Sequence, residues 1–196
     1  NGAYDGTVYL YEFSNNAWIL NQTINGSNGE NLGNSVAIHG SYAVIGAPGY
    51  NEFDGAAYFY ELSNGKLSSM QSYTTSGFQS VGQGVSISHT DINYHIFIGI
   101  PGGYNYPDGS VMIFQLDNSE WKNISTINGS SNEALGAQIS MYGNYAIVAA
   151  YDYNNQEGAV YFYEYSNSNW YSNTSISLGG SEGGVEGITV SMYGNY

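Results

Sequence analysis

Two short patterns recur along this chain at nearly one period, and that recurrence constrains its fold more than any other feature. The first pattern reads Asp-Gly-x-Val-Tyr-x-Tyr and places glycine at Gly6, Gly55, Gly109 and Gly158, spaced 49, 54 and 49. The second runs LGNSVAIHGSYAVIGAP from Leu32, with copies from Val81 and Leu135 and a shortened one from Glu186. Its glycines are Gly33, Gly82, Gly136 and Gly187, spaced 49, 54 and 51. A third anchor is the aromatic or aliphatic residue before each of these glycines, Trp18, Leu67, Trp121 and Trp170. Two independent anchors in one register make chance similarity untenable. A period of about 50 residues is that of propeller blades and other stacked arrays.

Each unit reads as four short strands. Ser35 to Ile38 alternates in polarity, and His39-Gly40-Ser41 turns the chain. Tyr42 to Gly46 is apolar and stops at Pro48, which cannot continue a central strand. Gly49 to Asp54 is a polar loop. Ala56 to Glu61 is the third strand, and Ser63-Asn64-Gly65 turns into the fourth, Leu67 to Thr74. Short strands at this spacing, separated by Gly/Asn turns, indicate an all-β architecture. No stretch carries helical periodicity with caps. In Val8-Tyr9-Leu10-Tyr11 the aliphatics share one face and the tyrosines the other. A sheet covered on both faces has this pattern, which assigns most tyrosines to the core. The chain is therefore expected to form one repeat domain over 1–196. It divides into a partial blade 1–31, blades 32–80, 81–134 and 135–185, and a partial blade 186–196.

Composition narrows the function. The 196 residues include 21 Tyr and 27 Gly but only two basic residues, and the net charge is −14. No basic patch exists to displace phosphate counterions, so nucleic acid is excluded as a partner. Docking on an anionic membrane is disfavoured for the same reason. No apolar run reaches the ~20 residues of a membrane span. With no cysteine there is no disulfide framework and no thiolate metal site.

The motifs resemble the FG-GAP repeat of integrin α-subunit propellers and of related bacterial and protist surface proteins. Leu32-Gly33, Val81-Gly82 and Leu135-Gly136 stand at the FG position. Gly46-Ala47-Pro48, Gly99-Ile100-Pro101 and the degenerate Ala149-Ala150-Tyr151 stand at the GAP position. The segment from Trp18 is similar to that of the subgroup lacking calcium loops. Many FG-GAP repeats carry Asp-x-Asp-x-Asp-Gly between the first two strands; here that link is His39-Gly40-Ser41, Tyr142-Gly143-Asn144 or the longer His89-Thr90-Asp91-Ile92-Asn93, which has one carboxylate. Calcium needs six to eight oxygen ligands, so no calcium site is carried over. The resemblance implies four-stranded β-propeller blades. It also implies an extracellular or cell-surface module that binds proteins, glycans or copies of itself. Because the chain ends are out of phase with the repeat, strand complementation within or between chains is one expectation, and a segment of a longer repeat protein is another.

Chemistry-bearing residues are sparse. No catalytic, cofactor-binding or metal constellation is present at a recognised spacing. His39, His89 and His95 fall in or beside turns. Gly102-Gly103 and Gly179-Gly180 are followed by neither Lys nor a helix, so they are not phosphate loops. Carboxylates recur before the third strand, as Asp5, Glu52 with Asp54, Asp108, and Asp152 with Glu157. An Asp-Gly turn accounts for that placement. Five N-x-S/T sequons, at Asn21, Asn25, Asn123, Asn128 and Asn173, are candidate glycosylation sites; Asn25 and Asn128 each sit seven residues after the blade Trp, and Asn21, Asn123 and Asn173 two or three after it. The function expected is a non-enzymatic extracellular module for adhesion, binding or assembly. The alternatives are a glycosylated filament subunit and a hydrolase on a propeller scaffold.

Overall fold

The computed structural model describes residues 4–77, 79–102, 108–130, 132–152, 157–178 and 189–194. Gly103, Gly179, Gly180, Glu186 and Gly187 lie outside them. The described chain is all-β, with four antiparallel sheets. The first has two strands, β1 (Thr7–Ser14) and β2 (Ala17–Asn25). The second holds β3 (Ser35–His39), β4 (Tyr42–Ala47), β5 (Ala56–Ser63) and β6 (Lys66–Thr74) in sequence order. The third holds β7 (Val85–His89), β8 (Tyr94–Ile100), β9 (Ser110–Asp117) and β10 (Glu120–Asn128). The fourth holds β11 (Leu135–Tyr142), β12 (Tyr145–Ala150), β13 (Ala159–Ser166) and β14 (Asn169–Ser177). Each complete sheet is thus a four-stranded meander, the form of a propeller blade.

The sheets pack face to face in chain order. Phe59 and Val44 of the second sheet meet Ile87, Ile96 and Trp121 of the third in one buried cluster. Phe97 and Ile113 of the third meet Ile139, Val148 and Tyr163 of the fourth in another. A smaller cluster joins Val8 and Ile24 to Leu32, Ile45 and Ala56. The second strand of each complete sheet, β4, β8 or β12, is buried at almost every position because both of its faces are covered.

Three details depart from the sequence reading. The loop after β4 is wound into one turn, Tyr50–Phe53 (α1), in which Asn51, Glu52 and Phe53 all take positive φ. His95 is not a turn residue: it lies inside β8 and is wholly buried. The tyrosines are not mostly core, because Tyr9 and Tyr11 of β1 are about half exposed, whereas Tyr163 and Tyr165 are buried. Alternation along β1 is as expected, with Val8 facing the second sheet. Among the described residues no sheet stands in front of its tyrosine face.

Candidate functional site

The recurring Asp-Gly pair forms the joint between one unit and the next. In each copy the Asp carbonyl accepts a hydrogen bond from the first residue of the following unit. These bonds are Leu32 N–H to Asp5 at 3.0 Å, Val81 N–H to Asp54 at 3.2 Å and Leu135 N–H to Asp108 at 3.1 Å. The glycine beside it has φ of 81°, 82° or 73°, and a Cβ there would overlap that same incoming backbone. Glycine is required both for the left-handed φ and for the approach. The Asp side chain is occupied as well. Oδ1 of Asp5, Asp54 and Asp108 accepts the N–H of Gly29, Gly77 and Asn132 at 2.7–2.8 Å. These carboxylates therefore order the loop that leads into the next unit, with charge-assisted bonds.

A second acidic position was not singled out in the sequence. Glu30 Oε1 accepts the Ser27 N–H at 2.9 Å, and its Oε2 accepts the Tyr58 hydroxyl at 2.9 Å. Glu133 repeats this with Ser130 N–H and the Tyr161 hydroxyl. Burial, reinforced by the hydrogen bond to Glu30, pushes the Tyr58 phenol well above its usual range. In the unit between them Gln79 replaces the Glu and Met112 replaces the Tyr. Both partners change together, which is the signal that could have revealed the pair.

The outer strands are joined by glutamine. The Gln22 side-chain amide donates to the Leu67 carbonyl at 3.0 Å and accepts the Leu67 N–H at 2.7 Å. Gln71 does the same with Trp121, at 3.0 and 3.2 Å. One side chain thus imitates a strand neighbour across a sheet-to-sheet gap. His95 is held between Gln115 Oε1 at 3.1 Å and Thr90 Oγ1 at 3.4 Å, against Tyr165 and Trp170. Burial lowers its pKa to about 4. His39 and His89 both pack edge-on against Tyr94. Among the described residues no group of three His, Asp or Glu is placed to hold a metal ion. The five sequon asparagines all lie on outer strands, on β2, β10 and β14. Asn25, Asn123, Asn128 and Asn173 are exposed. Asn21 is half-buried, and its Nδ2 donates to Glu12 Oε2 at 2.7 Å.

The glycines of the two sequence signatures meet one another. A Cβ on Gly46 would overlap the Gly82 carbonyl oxygen, and one on Gly99 would overlap that of Gly136. The GAP glycine of one unit is therefore the seat for the FG glycine of the next. Residues 24–60 match the family model of the FG-GAP repeat. The match begins in β2, spans both signature glycines of the second sheet and ends in β5. No curated protein matches the chain. In FG-GAP terms, every signature residue described above is spent on joining blades. What the repeat presents outward is its loop rim, its outer strands and the faces of its end sheets. Repeats of this family are in general non-catalytic and extracellular or surface-borne. No helix among the described residues is long and apolar enough to cross a membrane.

Proposed function

We propose that this chain is an extracellular, non-enzymatic FG-GAP module that binds protein or glycan partners or copies of itself. The observation that carries this reading is the use of the repeated acids. Asp5, Asp54, Asp108, Glu30 and Glu133 recur at fixed positions, as site residues would, yet each is engaged by loop N–H or tyrosine hydroxyl groups. The recurring acids thus serve architecture, which favours binding over the hydrolase alternative. Exposed sequons on the outer strands favour a glycoprotein. Asn25, Asn123, Asn128 and Asn173 are expected to accept glycans, whereas Asn21 stays bare because its amide nitrogen is held by Glu12. Secretion from a eukaryotic host followed by glycosidase treatment and peptide mapping reads this directly. An unmodified mass, or hydrolysis of a polysaccharide panel by the purified chain, would refute the corresponding part.

The self-assembling form of this reading is favoured by a separate observation: the end sheets leave apolar faces uncovered. Tyr9, Tyr11, Phe13 and Trp18 are exposed on the first sheet, and Ile176 on the last.

A further inference from the structure

Equivalent positions in the three complete sheets differ sharply in exposure. Val36 and Ile38 of β3 are 57% and 53% exposed. Their counterparts are Val85 and Ile87 in β7 and Ile139 and Met141 in β11, and all four are at most 8% exposed. The difference has a structural cause. β7 packs on β3, and β11 packs on β7, so each inner strand covers the next. Among the described residues only the pair β1–β2 stands in front of β3, without inner strands. A cleft of ≈ 150 Å³ lies there, lined by Val8, Leu10, Val36 and Ile38 among others.

The opposite end of the described chain carries the missing element. Residues 189–194 lie against β11, with the Met192 N–H donating to Ser140 Oγ at 2.9 Å. That bond copies the one between the third and fourth sheets, where the Met141 N–H donates to Ser86 Oγ at 3.1 Å. The segment thus stands at the repeat position of an inner strand, and no outer strands accompany it among the described residues. Its Ser191 occupies the repeat position of Ser86 and Ser140. The far face of the fourth sheet is bare in the same sense. Ile176 is 52% exposed, while its counterpart Tyr73 packs on Phe114 of the following sheet.

The two ends are therefore the two halves of the interface that the chain already makes twice internally. We propose that a second copy of this chain docks head to tail. Its residues 189–194 lie on β3 over Val36 and Ile38, and the far face of its β11–β14 sheet covers the Tyr9 and Trp18 face of β1–β2. Ser191 Oγ of one copy then accepts the Ile38 N–H of the next, as Ser140 accepts from Met192. The slot beside β1 that β4, β8 and β12 fill in the complete sheets remains an open, water-accessible edge. The contact is heterologous, so it propagates into a fibre or closes into a ring. With a charge of −14 per copy, added salt strengthens it by screening repulsion between copies.

This inference rests on the self-assembling form of the proposed function, and one experiment separates the two. The purified 196-residue chain is examined by light scattering after gel filtration and by negative-stain microscopy, from micromolar to millimolar concentration. Multiples of 21.2 kDa that grow with concentration and salt are expected. Ile38→Asp disables one face and Ile176→Asp the other. Both side chains are more than half exposed, and circular dichroism checks that each variant folds. Each alone is expected to weaken association at least about tenfold. Mixed together they form dimers that grow no further, because each retains the face that the other lost. A wild-type chain that stays monomeric at millimolar concentration overturns the inference, yet leaves the module free to bind proteins or glycans. Variants that assemble like wild type, or a mixture that stays monomeric while wild type assembles, overturn it as well.

Discussion

At the residue scale, the most informative pair is Glu30 with Tyr58. A carboxyl group at 9% exposure is costly to bury unless its oxygens find hydrogen-bond donors, and here one loop N–H and one phenol supply them. Tyr58→Phe removes one of those donors and is expected to cost about 1–3 kcal/mol. Glu30→Gln is expected to cost a similar amount. Changing both, Glu30→Gln with Tyr58→Phe, should cost less than the sum, because the two residues share one interaction. Urea denaturation of the four proteins measures the coupling. Strict additivity would show that the hydrogen bond contributes nothing to stability.

His95 gives a second prediction at this scale, and its sign follows from burial. The folded chain holds the imidazole neutral down to about pH 4, whereas an unfolded histidine takes up a proton near pH 6.5. Between these values the unfolded state binds more protons. Stability is therefore complete above about pH 6.5 and falls as the pH drops toward 4, by up to roughly 3 kcal/mol from this group. A His95→Phe variant should start less stable at pH 7, because Gln115 and Thr90 lose a partner. It should also show a shallower decline across that window. Equal slopes for the two proteins would remove His95 as the cause.

At the scale of elements, one repeat position contributes unequally from sheet to sheet. Trp121 is 2% exposed and packs on Tyr42 and Phe59 of the preceding sheet. Trp18 stands at the same position of the first sheet and is 70% exposed. Trp121→Ala is expected to cost about 3–5 kcal/mol, and Trp18→Ala under about 1 kcal/mol in the monomer. Thermal melts of both variants test this, and similar losses would contradict the uncovered first sheet. The strand order itself was legible: β3, β4, β5 and β6 fall where alternation, Pro48 and the Asn64-Gly65 turn place them. Strand boundaries are local properties, set by period and turn residues. The joints were less legible, because they are set by residues distant in sequence. Gln22 reads as a polar residue on an outer strand, and nothing local reveals that its amide bonds the backbone of Leu67, 45 residues on. Glu30 reads as a loop acid for the same reason. Tyr9 was misjudged because its pattern promises a neighbouring sheet, and alternation cannot say whether that neighbour is present. The five sequons were legible as sequons, but only packing distinguishes Asn21, tied to Glu12, from the exposed four.

At the scale of the whole molecule, stability should be graded along the stack. Among the described residues the buried clusters join each sheet to its neighbours in chain order, so the chain behaves as a short one-dimensional array. The third sheet is covered on both faces, by Phe59 and Val44 before it and by Ile139 and Val148 after it. The first sheet touches one neighbour, through the smaller cluster around Leu32 and Ile45. Local opening draws on the least buried units first. Amide hydrogens of β8 and β9 are therefore expected to exchange only through global unfolding. Those of β1 and β2 should exchange through a local opening of lower free energy, faster by orders of magnitude. The Gln22 bridge offers an internal check. Gln22→Ala cuts both bonds to Leu67, so it should accelerate exchange in β1–β2 while leaving β8 unchanged. Gln71→Ala, in the middle of the stack, should instead lower the global stability felt by every strand. Hydrogen exchange resolved by mass spectrometry separates these outcomes. Uniform protection across all four sheets would mean that the end pair is held as firmly as the centre, which the exposed faces of β1 and β3 do not allow in a monomer.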